Sequence, residues 1–131
     1  MSYATRADLA AINGYDEIEQ RESMLATGAV ARALADADAE IDSYCAGRYA
    51  VPFSPVPAHV TRMACAIARY NLLGDSATER ARNDYQDART WLRDVQAGRA
   101  LIDAATTLPG AAPAAMVEII TRDKVFNGGM R

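Results

Sequence analysis

The sequence predicts an all-α fold, a compact bundle of about four to five helices with an extended C-terminal arm that contains a short β-like segment. Two observations predict it. Apolar residues recur at intervals of three and four over most of residues 1–102, and the β-like run MVEIIT at 116–121 comes after that region. We therefore expect a helical domain at residues 1–102, large enough to bury a core, and the arm at residues 103–131.

The bulk properties disfavour several classes of protein. A net charge of −3 argues against a free-standing nucleic-acid binder, which carries a basic patch or stripe. The sequence has no run of about 18 apolar residues, so we expect no membrane-spanning helix. The start MSYATRAD lacks the basic and apolar regions of a signal peptide. These features predict a protein kept in a reducing cytoplasm, or in a particle assembled there.

Two short helices are predicted at the beginning of the chain. Thr5 is the expected N-cap of the first, and Asp8 completes a variant of the capping box. Leu9 and Ile12 give this helix a short apolar face, and an Asn-Gly pair ends it. The second helix is expected around residues 16–20, with a loop after it.

A long Ala-rich helix follows and is the central element of the predicted bundle. Thr27 is its expected N-cap, Gly47 loosens its last turn, and Pro52 prevents it from continuing. Its buried stripe has the helical period and consists of Val30, Leu34, Ala37, Ile41, Tyr44, Cys45 and Arg48.

Acidic residues alternate along this helix at positions 36, 38, 40 and 42. A calcium-binding EF-hand loop would need a glycine at its sixth position, where this sequence has Ile41, and it would have to be a loop. We interpret these residues as a solvated or inter-subunit surface, with a metal site as the less favoured alternative.

The helix is followed by an apolar elbow at residues 49–57, which contains three prolines within six residues. Prolines hold such a segment extended and reduce the entropy lost when it becomes ordered. The segment is too apolar for a flexible linker, so we expect it to pack on the domain or on a neighbouring subunit. Its candidate partner contacts are Tyr49, Val51, Pro52, Phe53 and Val56.

The next helix is expected at about residues 58–73, after Pro57 and before Gly74. His59 lies in its first turn. It could act as a catalytic base in principle, but no nucleophile or carboxylate is spaced to support it, so we interpret it as an exposed polar residue.

The last predicted helix begins at a capping box formed by Ser76 and Glu79 and ends at Ala97, and residues 99–102 could add a turn. Trp91 is expected at the rim of its packing seam. Across the bundle, the residues predicted to form the core are Val30, Leu34, Ile41, Tyr44, Met63, Ile67, Tyr70, Tyr85, Leu92 and Val95.

The chain has two cysteines, Cys45 and Cys65, both on apolar helical stripes. We interpret them as reduced, buried side chains. A disulfide stays open as an alternative, because the two host helices are expected to pack together.

The arm at residues 103–131 is the unusual part of the chain. Its β-like run has no hairpin partner in the sequence, and an unpaired apolar strand is a liability in a monomer. One interpretation is that the arm is donated to another subunit, for example by strand addition, and the other is that it folds back on its own core. Its candidate partner contacts are Met116, Val117, Ile119, Ile120, Val125, Phe126 and Met130.

The motifs of common enzyme classes are missing from the sequence, which has a single histidine, no Gly-rich phosphate loop and no nucleophile elbow. We therefore expect a binding or structural protein without catalytic residues, metal or cofactor. Two hypotheses remain. One is a subunit of an assembly, and the other is a small cytoplasmic helical regulator that binds nucleic acid or a protein partner.

An ordered set of segments resembles the Mu-like phage gp36 family, whose members are small virion proteins. The set covers most of residues 3–101, and RDKVF at 122–126 also matches the tail end of the family. Its main segments are YATRADL at 3–9, ALADADAEIDSY at 33–44, GRYAVP at 47–52, IARY at 67–70, DYQDARTWL at 84–92 and GRAL at 98–101.

This resemblance implies a head–tail connector, or neck protein, located in the virion and assembled in the host bacterial cytoplasm. Such proteins are helical and form rings, commonly of twelve subunits, beneath the portal protein. The implied partners are other copies of the chain, the portal, neck or tail-completion proteins, and passing DNA that is not bound sequence-specifically. The resemblance implies no catalytic residues and no membrane contact.

Overall fold

The computed structural model describes residues 2–102, in which five α-helices pack around one hydrophobic core and no strand is present. The helices are α1 (Arg6–Asn13), α2 (Tyr15–Met24), α3 (Ala29–Cys45), α4 (Ala58–Leu73) and α5 (Glu79–Ala97). Helix α3 packs along α4, α5 packs on both, and α1 joins α2 and contacts α4. The predicted all-α class is confirmed.

The start of the chain follows its local signals. Thr5 caps α1 through a complete capping box: the Asp8 N–H donates to Thr5 Oγ1 at 3.1 Å, and the Thr5 N–H donates to Asp8 Oδ2 at 3.0 Å. Gly14, with φ of 98°, makes the turn between α1 and α2. The expectation for Ile12 is wrong, because α1 buries Leu9 and Ala10 and leaves Ile12 55% exposed.

Helix α2 is longer than predicted, because side chains in its last turns contact both α1 and α4. The Arg6 guanidinium forms a two-pronged ion pair with the Glu22 carboxylate, at 2.9 and 2.6 Å. The Arg21 guanidinium donates to the main-chain carbonyls of Leu72 and Leu73 at the end of α4, at 3.3 and 2.7 Å. The last turn of α2 is thereby tied to α1 and α4.

Three predicted helix boundaries are wrong. Gly28 in a left-handed conformation, not Thr27, precedes α3. Thr78, not Ser76, caps α5: its hydroxyl accepts from the Ala81 N–H at 3.1 Å, and Ser76 belongs to a 3-10 turn, Gly74–Ser76. Residues 99–102 add no helical turn, because Gly98 ends α5 with φ of 83°.

The core contains most of the predicted residues. Val30, Leu34, Ile41, Ile67, Leu92 and Val95 are buried. The larger predicted side chains lie at its edge: Tyr44, Met63 and Tyr85 are partly buried against the core, as is Trp91 at the rim, and Tyr70 stacks on Tyr85 with ring centroids 4.2 Å apart. Helices α3 and α4 also bury small residues alongside their larger apolar ones: Ala33, Ala37, Ala64 and Ala68.

Cys45 and Cys65 are free and buried, as the preferred interpretation predicted. Burial raises the pKa of the Cys45 thiol to about 12 and that of the Cys65 thiol to about 11, since a thiolate is poorly solvated inside the core. Nearby carboxylates, Asp42 for Cys45 and Asp8 for Cys65, add to these shifts.

These shifts predict a loss of stability in alkali. Above the ordinary thiol pKa of 9.0, the unfolded chain releases protons that the folded chain retains, so the free energy of unfolding should fall as the pH rises towards 11. Each thiol contributes a slope of at most about 1.4 kcal/mol per pH unit. Urea unfolding at several pH values measures it. A variant with Cys45→Ala and Cys65→Ala should lose stability less steeply above pH 9, and an equal slope would contradict the assignment.

Candidate partner-binding surfaces

The elbow at residues 49–57 joins α3 to α4 and is anchored from inside. Tyr49 and Phe53 are buried, and their ring centroids lie 6.2 Å apart. Tyr3, near the beginning of the chain, completes the cluster with its ring centroid 5.5 Å from that of Phe53. The elbow is therefore held by an aromatic cluster whose members are far apart in the sequence.

Tyr3 fixes this cluster through hydrogen bonds at every polar atom of the residue. Its phenol donates to the Asp42 carboxylate and accepts from the Phe53 N–H at 3.3 Å. Its main-chain N–H donates to Asp38 Oδ1 at 3.0 Å, and its carbonyl accepts from the Thr61 hydroxyl at 2.8 Å. Burial and the adjacent Asp42 raise the pKa of the Tyr3 phenol, so it remains a neutral donor at physiological pH. Tyr3 thus joins α3, the elbow and α4.

These contacts revise the interpretation of the acidic residues of α3 as a purely solvated or inter-subunit surface. Asp38 and Asp42 bind Tyr3, and Glu40 Oε1 accepts from the Tyr85 hydroxyl at 3.2 Å, while Asp36 is exposed. Within residues 2–102 no group of three or more His, Cys, Asp or Glu side chains is placed to hold a metal ion. Asp38, Glu40 and Asp42 therefore stabilise the fold, because each of these partly buried side chains accepts a hydrogen bond from within the chain.

The end of the described chain lies beside the elbow. The Ile102 N–H donates to the Tyr49 hydroxyl at 3.1 Å, and the Ile102 side chain is buried. The Arg48 guanidinium donates to the Gln96 carbonyl at 2.8 Å, which ties the end of α3 to the end of α5. The described part of the chain therefore ends beside the elbow.

The candidate contacts predicted in the elbow divide into two groups. Tyr49 and Phe53 are buried in the chain's own core, where Phe53 packs on the Tyr3 ring and the Tyr49 hydroxyl accepts from the Ile102 N–H. That these two residues contact a partner stays a prediction. Pro52 is exposed, and Val51 and Val56 are partly buried. For these three a partner contact stays a prediction. The arm candidates lie outside the described residues: Met116, Val117, Ile119, Ile120, Val125, Phe126 and Met130.

A second surface was missed by the sequence reasoning. It is a groove of about 340 Å³ between the end of α1, the middle of α4 and the first half of α5, which we call the α1–α4–α5 groove. Met63 and Ala66 are partly buried in it, and the exposed Ile12 lies at its edge. Its lining consists of Ile12, Asn13, Arg62, Met63, Ala66, Arg69, Arg80, Asp84 and Asp87.

The polar groups of this groove are incompletely paired. Arg69 forms a two-pronged ion pair with Glu17 of α2, at 3.1 and 2.9 Å. Among the described residues, the other charged lining side chains form no ion pair, and the amide nitrogen Nδ2 of Asn13 is buried without a hydrogen-bond partner. A buried amide donor without a partner costs free energy. The unpaired charged set is Arg62, Arg80, Asp84 and Asp87.

The structure also bears on two further expectations, the role of His59 and the absence of a membrane-spanning helix. The His59 ring packs edge-on against Trp91, with centroids 4.5 Å apart, so an aromatic contact accounts for the position of its ring. Within residues 2–102, no helix has both the length and the apolar character needed to cross a bilayer.

Comparison with known proteins identifies the family. The family model described as "Bacteriophage Mu, Gp36" matches residues 3–119 of the chain. The chain belongs to the bacteriophage Mu Gp36 family. The match extends from Tyr3 through the elbow, the groove and part of the arm, and it confirms the family predicted from the resemblance.

Two curated relatives show how far the similarity extends. The chain is 48% identical over 69 residues to the Mu-like prophage FluMu protein gp36 of Haemophilus influenzae, an alignment that covers 53% of this chain and 49% of that protein. It is 38% identical over 68 residues to gene product J of Escherichia phage Mu, which covers 52% of this chain and 48% of that protein. The chain thus spans about half the length of the curated relatives it matches.

Proposed function

We propose that this protein is a structural virion subunit, a head–tail connector that forms a ring beneath the portal and joins the capsid to the tail. The observation that carries the proposal is the family match over residues 3–119. In this proposal the protein is not an enzyme. Its partners are other copies of itself, the portal, and neck or tail-completion proteins.

The shape of the subunit supports the proposal. A ring requires two different, complementary surfaces on each copy, because each subunit contacts a neighbour on either side. The described residues present two separate candidates: the exposed part of the elbow, next to the point where the arm begins, and the α1–α4–α5 groove. The internal anchoring by Tyr3 gives the elbow a fixed position, which suits a permanent assembly.

The net charge of the chain also supports the connector proposal. A channel that lets DNA pass should not bind the phosphate backbone tightly, and tight non-specific binding requires many Lys or Arg contacts. The net charge of −3 fits a wall around passing DNA better than a DNA-binding regulator. The rival regulator would instead show DNA binding that weakens steeply with salt.

Localisation in purified particles tests the proposal. Particles from the phage or prophage that carries this gene would be labelled with gold-conjugated antibodies against the protein and imaged by electron microscopy. We expect gold at the junction of head and tail. Labelling along the tail or on the capsid faces, or absence of the protein from particles together with salt-dependent DNA binding, would overturn it.

A further inference from the structure

We propose that the α1–α4–α5 groove binds residues 118–122 of the arm of a neighbouring copy. The inference names a contact between adjacent subunits and rests on the proposed ring. It assigns a ligand to a surface on which four of the five charged lining side chains form no ion pair within the described chain.

The groove offers charges of both signs in a defined order. Arg80 lies at the start of α5 and Asp87 lies two helical turns further on, about 10.5 Å along the axis. Arg62 of α4 adds a second unpaired guanidinium, and Asp84 adds a second unpaired carboxylate. A ligand that satisfies this groove should therefore carry a negative and a positive group about 10–13 Å apart, with an apolar group between them.

The arm contains such a pattern. In an extended strand, alternate side chains share one face, so Glu118, Ile120 and Arg122 would point the same way. Glu118 and Arg122 are then separated by about 13 Å, close to the spacing of Arg80 and Asp87. Ile120 between them matches the apolar patch of Ile12, Met63 and Ala66.

Strand addition, the other mode considered for this segment, would need a sheet edge, and residues 2–102 contain no strand. The helical domain of a neighbour therefore offers the segment a groove and no sheet edge.

The length of the intervening chain allows the segment to reach the groove of a neighbouring copy, as the proposed ring requires. Residues 103–117 contain Pro109 and Pro113, which favour extended backbone. At about 3.1 Å per residue this spacer reaches about 45 Å, whereas a domain of about 100 residues has a radius of gyration near 13 Å. The segment can therefore pass beyond its own domain and reach the next.

Site-specific photo-cross-linking of the full chain tests the inference. A photo-reactive benzoylphenylalanine replaces Ile120 in cells that produce particles, so that every assembly partner is present. We expect a covalent dimer whose cross-link maps to Ile12, Met63 or Ala66 of the second copy. Arg80→Glu should reduce the yield of dimer about tenfold, and adding Glu118→Arg should restore most of it.

The matched control is Arg82→Glu, which reverses an exposed charge on the same helix outside the groove and should leave the yield unchanged. Cross-links within one chain, cross-links to another surface, or no dimer at all would overturn the inference. An equal loss of dimer in the Arg80→Glu and Arg82→Glu variants would overturn it as well.

The result is distinguishable from failure of the connector proposal. A neck-located protein without this cross-link refutes only the groove contact. A groove cross-link in a protein that is absent from the neck refutes only the connector.

Discussion

Tyr3→Ala is expected to lower the free energy of unfolding of the full chain by about 3–5 kcal/mol, the usual cost of truncating a buried aromatic side chain. The residue is 3% exposed and packs against Phe53. Its removal leaves a cavity beneath the elbow and deprives Asp42 of a hydrogen-bond donor. Urea unfolding followed by circular dichroism measures the change, as a lower midpoint at unchanged slope.

Tyr3→Phe separates packing from hydrogen bonding. The ring remains, but the Asp42 carboxylate and the Phe53 N–H lose the phenol, so we expect a smaller loss of about 1–3 kcal/mol. Ile12→Ala, at an exposed position of α1, serves as the surface control and should change stability by less than about 0.5 kcal/mol. If Tyr3→Ala cost no more than Ile12→Ala, the anchoring role of Tyr3 would be wrong.

The long helices could be predicted from the sequence because their signals are local. Apolar spacing, Pro57 and Gly74 set the range 58–73 that the structure shows for α4, and Gly98 set the end of α5. The core positions followed from the same periodicity, which is why the predicted aliphatic residues of α3, α4 and α5 are buried.

The features that could not be predicted from the sequence depend on contacts between residues that are distant in the chain. Ser76 and Thr78 both precede a run of helix-forming residues, and only the 3-10 turn after α4 decides that Thr78 is the cap. Tyr3 is separated from Asp42 and Phe53 by 39 and 50 positions, so no local sequence pattern predicts its contacts with them.

The groove was missed for a related reason. Arg62 and Arg80 each look like ordinary surface charges in sequence, and the groove exists only because α1, α4 and α5 meet. The one signal available was that Arg62 and Arg69 lie two turns apart on the same side of α4, away from its apolar stripe.

If the protein joins heads to tails, as proposed, its loss should have the largest effect on particles. Without it, DNA-filled heads and complete tails should both form, but they should not be joined. A copy of the gene supplied from a plasmid should restore joining, and the Arg82→Glu variant should restore it equally well.

The most direct measurement is therefore electron microscopy of lysates from cells that carry the phage with this gene deleted. We expect separate filled heads and free tails, with no infectious particles. Joined, infectious particles in the absence of the protein would contradict it.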